Sequence, residues 1–487
     1  MKVFVRADTH VSSIVLDGEP KPKFTISQLI TAVAVSFISM VIGYMAAYTS
    51  PTQNSLEKEF HVTTNQMSWI SSFMPFGALF GALCGGTLIE HLGRKWSILV
   101  TNFLFLIAWT VIYCAEDYRY LYAGRIIGGV GVGIASLTLP VYLAETLHPK
   151  VRGTLGLVPS AFGNIGILSC FLSGIVYQWR TLALIGGILS TPFLLLIWWI
   201  PESPRFLMMR GKEEKSKRSL RWLRGTAFNV DKEHVELQNS LRQPYNQNER
   251  MRILFSRNIL KLLFIVLGLM FFQQMTGINA VIFYTTKIFR DTGSTWDENI
   301  CTTIVGLVNF MSTFIAATLI DRWGRKLLLY VSSISMVFAL GILGTYFYLK
   351  DNKAAIVDLQ RCGWVPLSSF ILYILGFSLG FGPIPWLMMG EILPGKIRGP
   401  AASISAAFAW TCTFTVTKTF LPINEVVGTH YTLWLFAVMM LVALAFIKVF
   451  VPETMGQSLD DIERKLAGVK IKPMSSVGNL RPMPSIY

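Results

Sequence analysis

Three side-chain amides lie close together in an apolar stretch of the chain: Gln273, Gln274 and Asn279. An amide carries both hydrogen-bond donors and acceptors, which suits a ligand rich in hydroxyl groups. The two glutamines would point about 100° apart on a helix, so they could contact different parts of such a ligand. Amides in apolar helices can instead join neighbouring helices, at roughly 1–2 kcal/mol per bond in model peptides. The pair of glutamines followed by Gly277 and Asn279 favours the binding role.

Acidic and basic residues recur at matched positions in the two parts of the chain. Glu145 precedes Arg152 by the same interval as Glu391 precedes Arg398. Ionisable groups near a membrane are costly and need partners. Such residues could simply set the topology, but we expect pairs between the two parts to hold one side of the molecule shut. The predicted gating residues are Arg94, Arg125, Glu145, Arg152, Glu202, Asp321, Arg325, Glu391, Arg398 and Glu453.

The elements that position these residues are predicted to be helices that cross a lipid bilayer. The chain has 487 residues, of which 52% are hydrophobic and only 15% are charged, whereas soluble proteins carry roughly a quarter charged residues. An apolar run of about 20 residues spans a bilayer as a helix. We predict twelve such spans, at residues 27–48, 67–89, 97–115, 121–143, 155–177, 181–200, 260–284, 300–320, 327–349, 365–390, 401–421 and 432–451.

Short motifs repeat in the two halves of the chain. Gly93, Arg94 and Lys95 follow the second span as Gly324, Arg325 and Lys326 follow the eighth. The sequence therefore predicts an all-α polytopic membrane protein of two pseudo-symmetric six-helix bundles, and a site between such bundles is typical of carriers. The predicted parts are an N-terminal segment (1–26), a first bundle (27–200), a linker with short helices (201–257), a second bundle (258–451) and a tail (452–487).

The lysines and arginines indicate how the chain is oriented. Most of them fall in loops on the same side as both termini, which predicts that both termini are cytoplasmic. The net charge of +15 therefore reflects topology, and no nucleic-acid recognition fold fits the spans. No His or Cys spacing indicates a metal, and no cofactor or obligate protein partner is predicted. Cys301 lies at the outer end of the predicted span 300–320 and Cys362 in a predicted outer loop, so a disulfide between them stays open.

Longer motifs resemble the sugar porter branch of the major facilitator superfamily over nearly the whole chain. Segment 201–207 reads Pro-Glu-Ser-Pro-Arg-Phe-Leu, segment 273–279 reads Gln-Gln-Met-Thr-Gly-Ile-Asn, and segment 382–386 reads Gly-Pro-Ile-Pro-Trp. Within that branch, segments 47–51 and 161–166 are similar to the insect facilitated trehalose transporters. Met455 is a departure, because the family usually has lysine there. The resemblance implies the major facilitator fold and a carrier for a sugar in the cell membrane.

The resemblance also implies a sugar pocket at particular positions. Thr413, Ser160 and Ser378 stand where glucose carriers commonly have asparagine, glutamine and glutamate. These departures put glucose itself in doubt, and the small Ser378 leaves room for a second ring, as in trehalose. The implied substrate-binding residues are Gln273, Gln274, Asn279, Asn309, Trp386, Trp410, Thr413, Ser160, Asn164 and Ser378.

Two other functions fit the same fold. Proton-coupled symporters of this family resemble one another in having an acidic residue in the first span. Residues 25–56 of this chain contain none. Facilitated diffusion of trehalose or a hexose such as glucose is therefore favoured. A non-transporting sugar sensor would need a signalling tail, and the 36 residues after position 451 show no domain. The scattered histidines offer no catalytic arrangement, so an enzyme is not predicted.

Overall fold

The computed structural model describes residues 25–148, 151, 155–225, 230–241, 256–293, 296–352, 362–393 and 398–455. Arg152 lies outside these ranges, and the side chains of Asp321 and Arg398 are not described. The first bundle contains α1 (Ile26–Ala47), α2 (Thr49–Phe60), α3 (Thr64–Leu92), α4 (Arg94–Tyr113), α5 (Tyr118–Thr146), α6 (Val158–Val176), α7 (Trp179–Leu189) and α8 (Thr191–Leu196).

Three short helices connect the bundles, and the second bundle follows them. The connector helices are α9 (Pro204–Met209), α10 (Glu213–Arg224) and α11 (Val230–Leu241). The second bundle contains α12 (Arg257–Met275), α13 (Ile278–Thr292), α14 (Glu298–Trp323), α15 (Arg325–Asp351), α16 (Val365–Leu379), α17 (Ile384–Ile392), α18 (Arg398–Val426) and α19 (Thr429–Phe450). We call the end of the molecule at which the connector lies the connector side, and the other end the far side.

Eleven segments of the described chain are long and apolar enough to cross a membrane. They correspond to eleven of the twelve predicted spans, and the twelfth, at 401–421, falls within α18. This helix is less apolar because it contains five threonines, two serines and Lys418. It packs along α3 of the first bundle, and Thr413 and Thr417 are buried in the protein. The predicted fold of twelve membrane helices is confirmed.

Two predicted spans are broken near their middles. The seventh span divides into α12 and α13 at Gly277, whose φ of 83° lies in the left-handed region that glycine adopts readily. The tenth divides into α16 and α17 at residues 380–383, where Pro383 lacks the amide hydrogen that a continuous helix needs. Broken helices inside membrane carriers line binding cavities, because their free backbone groups are tolerated only there or within protein.

Helices within the first bundle approach at backbone distance. A β-carbon on Gly133 would lie 2.1 Å from the carbonyl oxygen of Ala78, and one on Gly43 would overlap the backbone of Gly163. Lipid tails are as apolar as leucine, so the hydrophobic effect does not drive helices together inside a membrane. Close packing at small residues promotes their association instead. The arrangement of α3 on α5, and of α1 on α6, therefore depends on these glycines.

The connector docks on the first bundle. The hydroxyl of Thr25 and the side-chain amide of Gln28 both donate to the carbonyl oxygen of Leu223, at 2.7 and 3.2 Å. Arg224 binds the Glu233 carboxylate at 2.7 Å and also donates to the carbonyl oxygen of Thr146 at 2.7 Å. These contacts attach α10 and α11 to the ends of α1 and α5.

Candidate sugar-binding site and gates

The amides predicted for binding form a chain beside both helix breaks. The side-chain nitrogen of Asn279 donates to the Gln274 oxygen at 2.5 Å, and the nitrogen of Gln274 donates to the Gln273 oxygen at 3.4 Å. Gln273 in turn donates to the carbonyl oxygens of Phe381 and Gly382, at 2.7 and 2.9 Å. The break in the seventh span is thus tied to the break in the tenth.

The two glutamines have different tasks in this arrangement. Both donor hydrogens of Gln273 are used by the carbonyls that the second break leaves free, so this residue positions α16 and α17. Gln274 keeps one N–H without a protein partner in this chain of bonds, although its side chain is buried. An amide with spare bonding capacity in a buried polar site is suited to a ligand hydroxyl.

A second polar group joins the two bundles. Asn309 of α14 donates to the Asn164 oxygen at 3.1 Å, and Asn164 donates to the hydroxyl of Thr313 at 2.6 Å. The Ser378 hydroxyl donates to the Asn309 oxygen at 3.4 Å. Three predicted residues therefore meet here. Thr313 was missed by the sequence analysis, although it lies one helical turn from Asn309 and so shares its face.

The two predicted tryptophans lie nearer the connector side. Trp386 and Trp410 both pack against a buried cluster that includes Ala82, Leu137 and Ala406, from both bundles. Trp410 also donates its indole N–H to the Ser136 hydroxyl of the opposite bundle at 3.4 Å. A tryptophan provides a flat apolar face together with one donor, which suits the ring face of a sugar.

Two other predicted ligands are not in these groups. The Thr413 hydroxyl donates to the carbonyl oxygen of Ala409, in its own helix, at 2.9 Å. Ser160 lies in the first turn of α6 and is exposed. It is one helical turn from Asn164, or about 6 Å along the axis.

Six of the ten predicted gating residues form two clusters, one in each bundle. In the first, Arg94 binds both oxygens of Glu145 at 2.8 Å, and the Ser203 hydroxyl donates to the same carboxylate. In the second, Arg325 binds Glu391 at 2.8 Å, and the Thr454 hydroxyl also donates to Glu391. These ion pairs lie within each bundle, and each joins the start of one membrane span to the end of the next. Pairing between the bundles was expected when the connector side is shut, and for that state it stays a prediction.

Two further carboxylates cap helices in these clusters. Glu202 accepts the backbone N–H groups of Arg94 and Lys95 at the start of α4, each at 3.1 Å. Glu453 accepts those of Arg325 and Lys326 at the start of α15, at 3.0 and 2.9 Å. A helix N-terminus carries unsatisfied donors and a partial positive charge, so a carboxylate is stabilised there.

The two capping carboxylates differ in acidity. Desolvation by burial raises the pKa of Glu202 above its ordinary value, although backbone N–H groups oppose the shift. Burial also acts to raise the pKa of Glu453, but four backbone N–H groups outweigh it and leave the pKa below the ordinary value. The two caps therefore share their geometry, whereas their pKa values are shifted in opposite directions.

Arg125 was wrongly grouped with the connector-side gate. It lies twenty residues before Glu145 on the same helix, which places it about 30 Å away along the axis. Its guanidinium is fully buried and donates to the carbonyl oxygens of Met45 and Ile70, at 2.5 and 3.2 Å. It also lies 5.9 Å from the centre of the Phe283 ring, in the other bundle. The sequence did not show that Arg125 and Glu145 lie near opposite ends of α5, a helix that crosses the whole molecule.

Polar contacts join the bundles on the far side. The hydroxyls of Ser50 and Thr286 are 3.0 Å apart. The ammonium of Lys418 donates to Asn65 and Ser68 of α3, both at 2.6 Å, and lies 4.4 Å from the centre of the Trp69 ring. The sequence alone does not indicate a partner for Lys418, because its polar neighbours belong to a helix about 350 residues away in the chain. The structure therefore describes a state closed on the far side.

The cysteines are free in this state. Cys301 is buried and Cys362 is partly buried, and neither forms a disulfide. The possibility that they pair is therefore not realised here.

Comparison with known proteins places the chain in a family. A family model described as "Sugar (and other) transporter" matches residues 30–466. The chain belongs to the sugar transporter family. The resemblance inferred from the motifs is confirmed, and the protein is a membrane carrier rather than an enzyme.

Several relatives of this sugar transporter are similar over their whole length. The "Facilitated trehalose transporter Tret1" of Culex quinquefasciatus is 52% identical, over 99% of this chain and 94% of the relative. The "Facilitated trehalose transporter Tret1-2 homolog" of Drosophila simulans is 52% identical, over 99% of each. Among solved structures, a partially occluded inward-open form of the xylose transporter XylE from E. coli matches with a TM-score of 0.76 and 26% identity. The match covers 89% of this chain and all of XylE.

Proposed function

We propose that this sugar transporter moves trehalose, a disaccharide, across the plasma membrane by facilitated diffusion. Both termini and the connector side would be cytoplasmic. The observation that carries the proposal is the amide chain of Gln273, Gln274 and Asn279 beside the two helix breaks. Two relatives at 52% identity are named as facilitated trehalose transporters, which supports the choice of sugar.

The proposed binding site offers two polar groups, one for each ring of a disaccharide. Gln274 and Asn279 would contact one ring through their amides. Asn309 and Ser378 lie in the second polar group and would contact the other. Ser378 provides a small hydroxyl where a larger acidic side chain would fill the space. Trp386 and Trp410 would pack against a ring face on the connector side.

Transport without proton coupling follows from the charges near the site. Coupling needs a group that gains and loses a proton between states, and α1 contains no acidic residue. Arg125 faces this helix, and its hydrogen bonds run to backbone carbonyls, which do not titrate. Symport is the competing function, because XylE is described as a proton:xylose symporter.

The proposed cycle alternates between polar contacts on the two sides. In the described state the far side is held by Lys418 and by the contact of Ser50 with Thr286. Opening of that side would require these contacts to break. The clusters around Glu145 and Glu391 would then approach each other on the cytoplasmic side and hold it shut.

Uptake into proteoliposomes tests the proposal. Trehalose and glucose entry are measured with and without an inward proton gradient, and with a protonophore. We expect saturable trehalose entry that stops at the external concentration and is unchanged by the protonophore. Accumulation that the protonophore abolishes would support symport instead. Glucose entry without trehalose entry would contradict the disaccharide and leave the carrier assignment intact.

A further inference from the structure

Asn164 and Asn309 form a bond between the two bundles inside the proposed sugar site. Asn164 belongs to α6 and Asn309 to α14, and their side chains are joined at 3.1 Å. The same Asn164 side chain donates to Thr313 at 2.6 Å. Both ends of the Asn164 amide are therefore used by the opposite bundle.

The helices that carry this bond are closely packed. A β-carbon on Gly306 would lie 2.9 Å from the Phe171 side chain and 3.5 Å from the α-carbon of Leu168. Gly306 is almost one turn before Asn309 on α14, and Leu168 is one turn after Asn164 on α6. Because the packing is close on one side of the amide pair, the pair is held in register.

The hydrogen bond between Asn309 and Asn164 uses an amide that the sugar would need. The oxygen of Asn309 accepts from Ser378, and its nitrogen donates to Asn164. The N–H of Asn309 that donates to Asn164 is the one that a sugar hydroxyl would accept in the loaded carrier. Asn164 and a sugar hydroxyl are thus alternative partners for the same amide.

We propose that Asn164 replaces the sugar in the empty carrier. This inference rests on the proposed transport function. A uniporter must return without cargo after each delivery, and its polar pocket must close while empty. Polar groups enclosed without partners are costly, so the closed empty state needs an internal substitute for the sugar hydroxyls. The Asn164 amide provides it, with Thr313 as its second anchor.

The proposal distinguishes two kinds of sugar flux. Net uptake into sugar-free vesicles requires the empty carrier to return. Exchange between equal sugar concentrations does not, because the carrier returns loaded. A residue that serves only the empty carrier should affect net uptake alone, whereas a sugar ligand should affect both fluxes.

The test is the variant Asn164→Val in proteoliposomes, with trehalose as the probe. We expect the ratio of maximal exchange to maximal net uptake to rise by about fivefold to tenfold, from the cost of an unsatisfied buried amide. The apparent KM for exchange should stay the same or fall, since Asn309 has lost a competitor. Exchange at a normal rate also shows that the variant is folded.

Two further variants complete the experiment. Thr313→Val removes one anchor of Asn164 and should raise the same ratio by less. Ser169→Ala is the matched control, because its hydroxyl donates to Ile165 within α6 and not across the bundles. An unchanged ratio in Asn164→Val, or equal loss of both fluxes with a higher KM, would overturn the proposal. Absence of both fluxes in the wild-type protein would overturn the transport function first.

Discussion

The carboxylate of Glu202 lies against the backbone of Gly93, with one oxygen 2.6 Å from the position that a β-carbon would occupy. Glu453 and Gly324 show the same relationship at 2.8 Å. Both glycines also have positive φ, of 94° and 83°, with ψ near 170°. This backbone region is adopted almost only by glycine. The repeated Gly-Arg-Lys motif is therefore explained by a carboxylate cap that tolerates no side chain beneath it.

Substitution of these glycines should destabilise the protein. Gly93→Ala and Gly324→Ala each combine backbone strain, about 1–3 kcal/mol, with displacement of the capping carboxylate. We expect a lower melting temperature in detergent, measured by fluorescence-detected size exclusion after heating. Gly341→Ala is the matched control, because a β-carbon there meets nothing within 4 Å. Equal melting temperatures in all three variants would contradict the explanation.

Truncation of Gln274 should weaken sugar binding. Gln274→Ala removes the amide that keeps a spare donor, and its loss would strand a sugar hydroxyl at about 1–3 kcal/mol. We expect the KM for uptake to rise about tenfold at normal surface density. The control is Asn352→Ala, whose amide donates to Tyr348 at the end of its own helix. Kinetics like those of the wild type would remove Gln274 from the site.

Loss of Lys418 should open the far side more often. Lys418→Met removes two hydrogen bonds and a ring contact across the bundles while keeping much of the apolar stem. An engineered cysteine at Ser72, buried one turn from Ser68, should react faster with an impermeant thiol reagent. Lys350→Met is the control, because Lys350 donates to Asp291 within one bundle. The protein without the engineered cysteine gives the background, and an unaltered labelling rate would argue against this contact as a gate.

The two capping carboxylates should respond differently to pH. The folded pKa of Glu453 lies below its ordinary value of 4.5, so its contribution to stability is present above that value and is lost as the pH falls through the folded pKa. The folded pKa of Glu202 is raised, so its contribution is present below 4.5 and is lost as the pH rises. Glu453→Gln should therefore lower the melting temperature at pH 7, and the difference from the wild type should shrink steadily as the pH is lowered below 4.5.

Glu202→Gln is the comparison variant for that experiment. It should have a small or stabilising effect at pH 7, since the charged form is the costly one in the fold. The measurement is the difference in melting temperature from the wild type at each pH. Equal pH profiles for the two variants would show that the caps are equivalent.

The sequence predicted the helices and the repeat because both are local patterns. Apolar runs reveal spans, and the Gly-Arg-Lys motifs mark equivalent turns in each bundle. The hydrogen bonds between helices depend on how each helix is rotated about its axis and on how deep each residue lies in the membrane. No local sequence pattern specifies either. Asn164 and Thr313 are 149 positions apart, and only the fold brings them to 2.6 Å. Gln273 was predicted to bind sugar, but its donors are used by a helix break 108 positions away.

The attachment of α10 to the ends of α1 and α5 has a consequence for biosynthesis. Leu223 and Arg224 bind residues of the first bundle. The ribosome has already synthesised those residues when Leu223 and Arg224 emerge from it. The connector can therefore dock on the end of the first bundle before any helix of the second bundle is translated. Two polypeptides divided after Leu241 should accordingly assemble into one carrier when they are synthesised in the same cell.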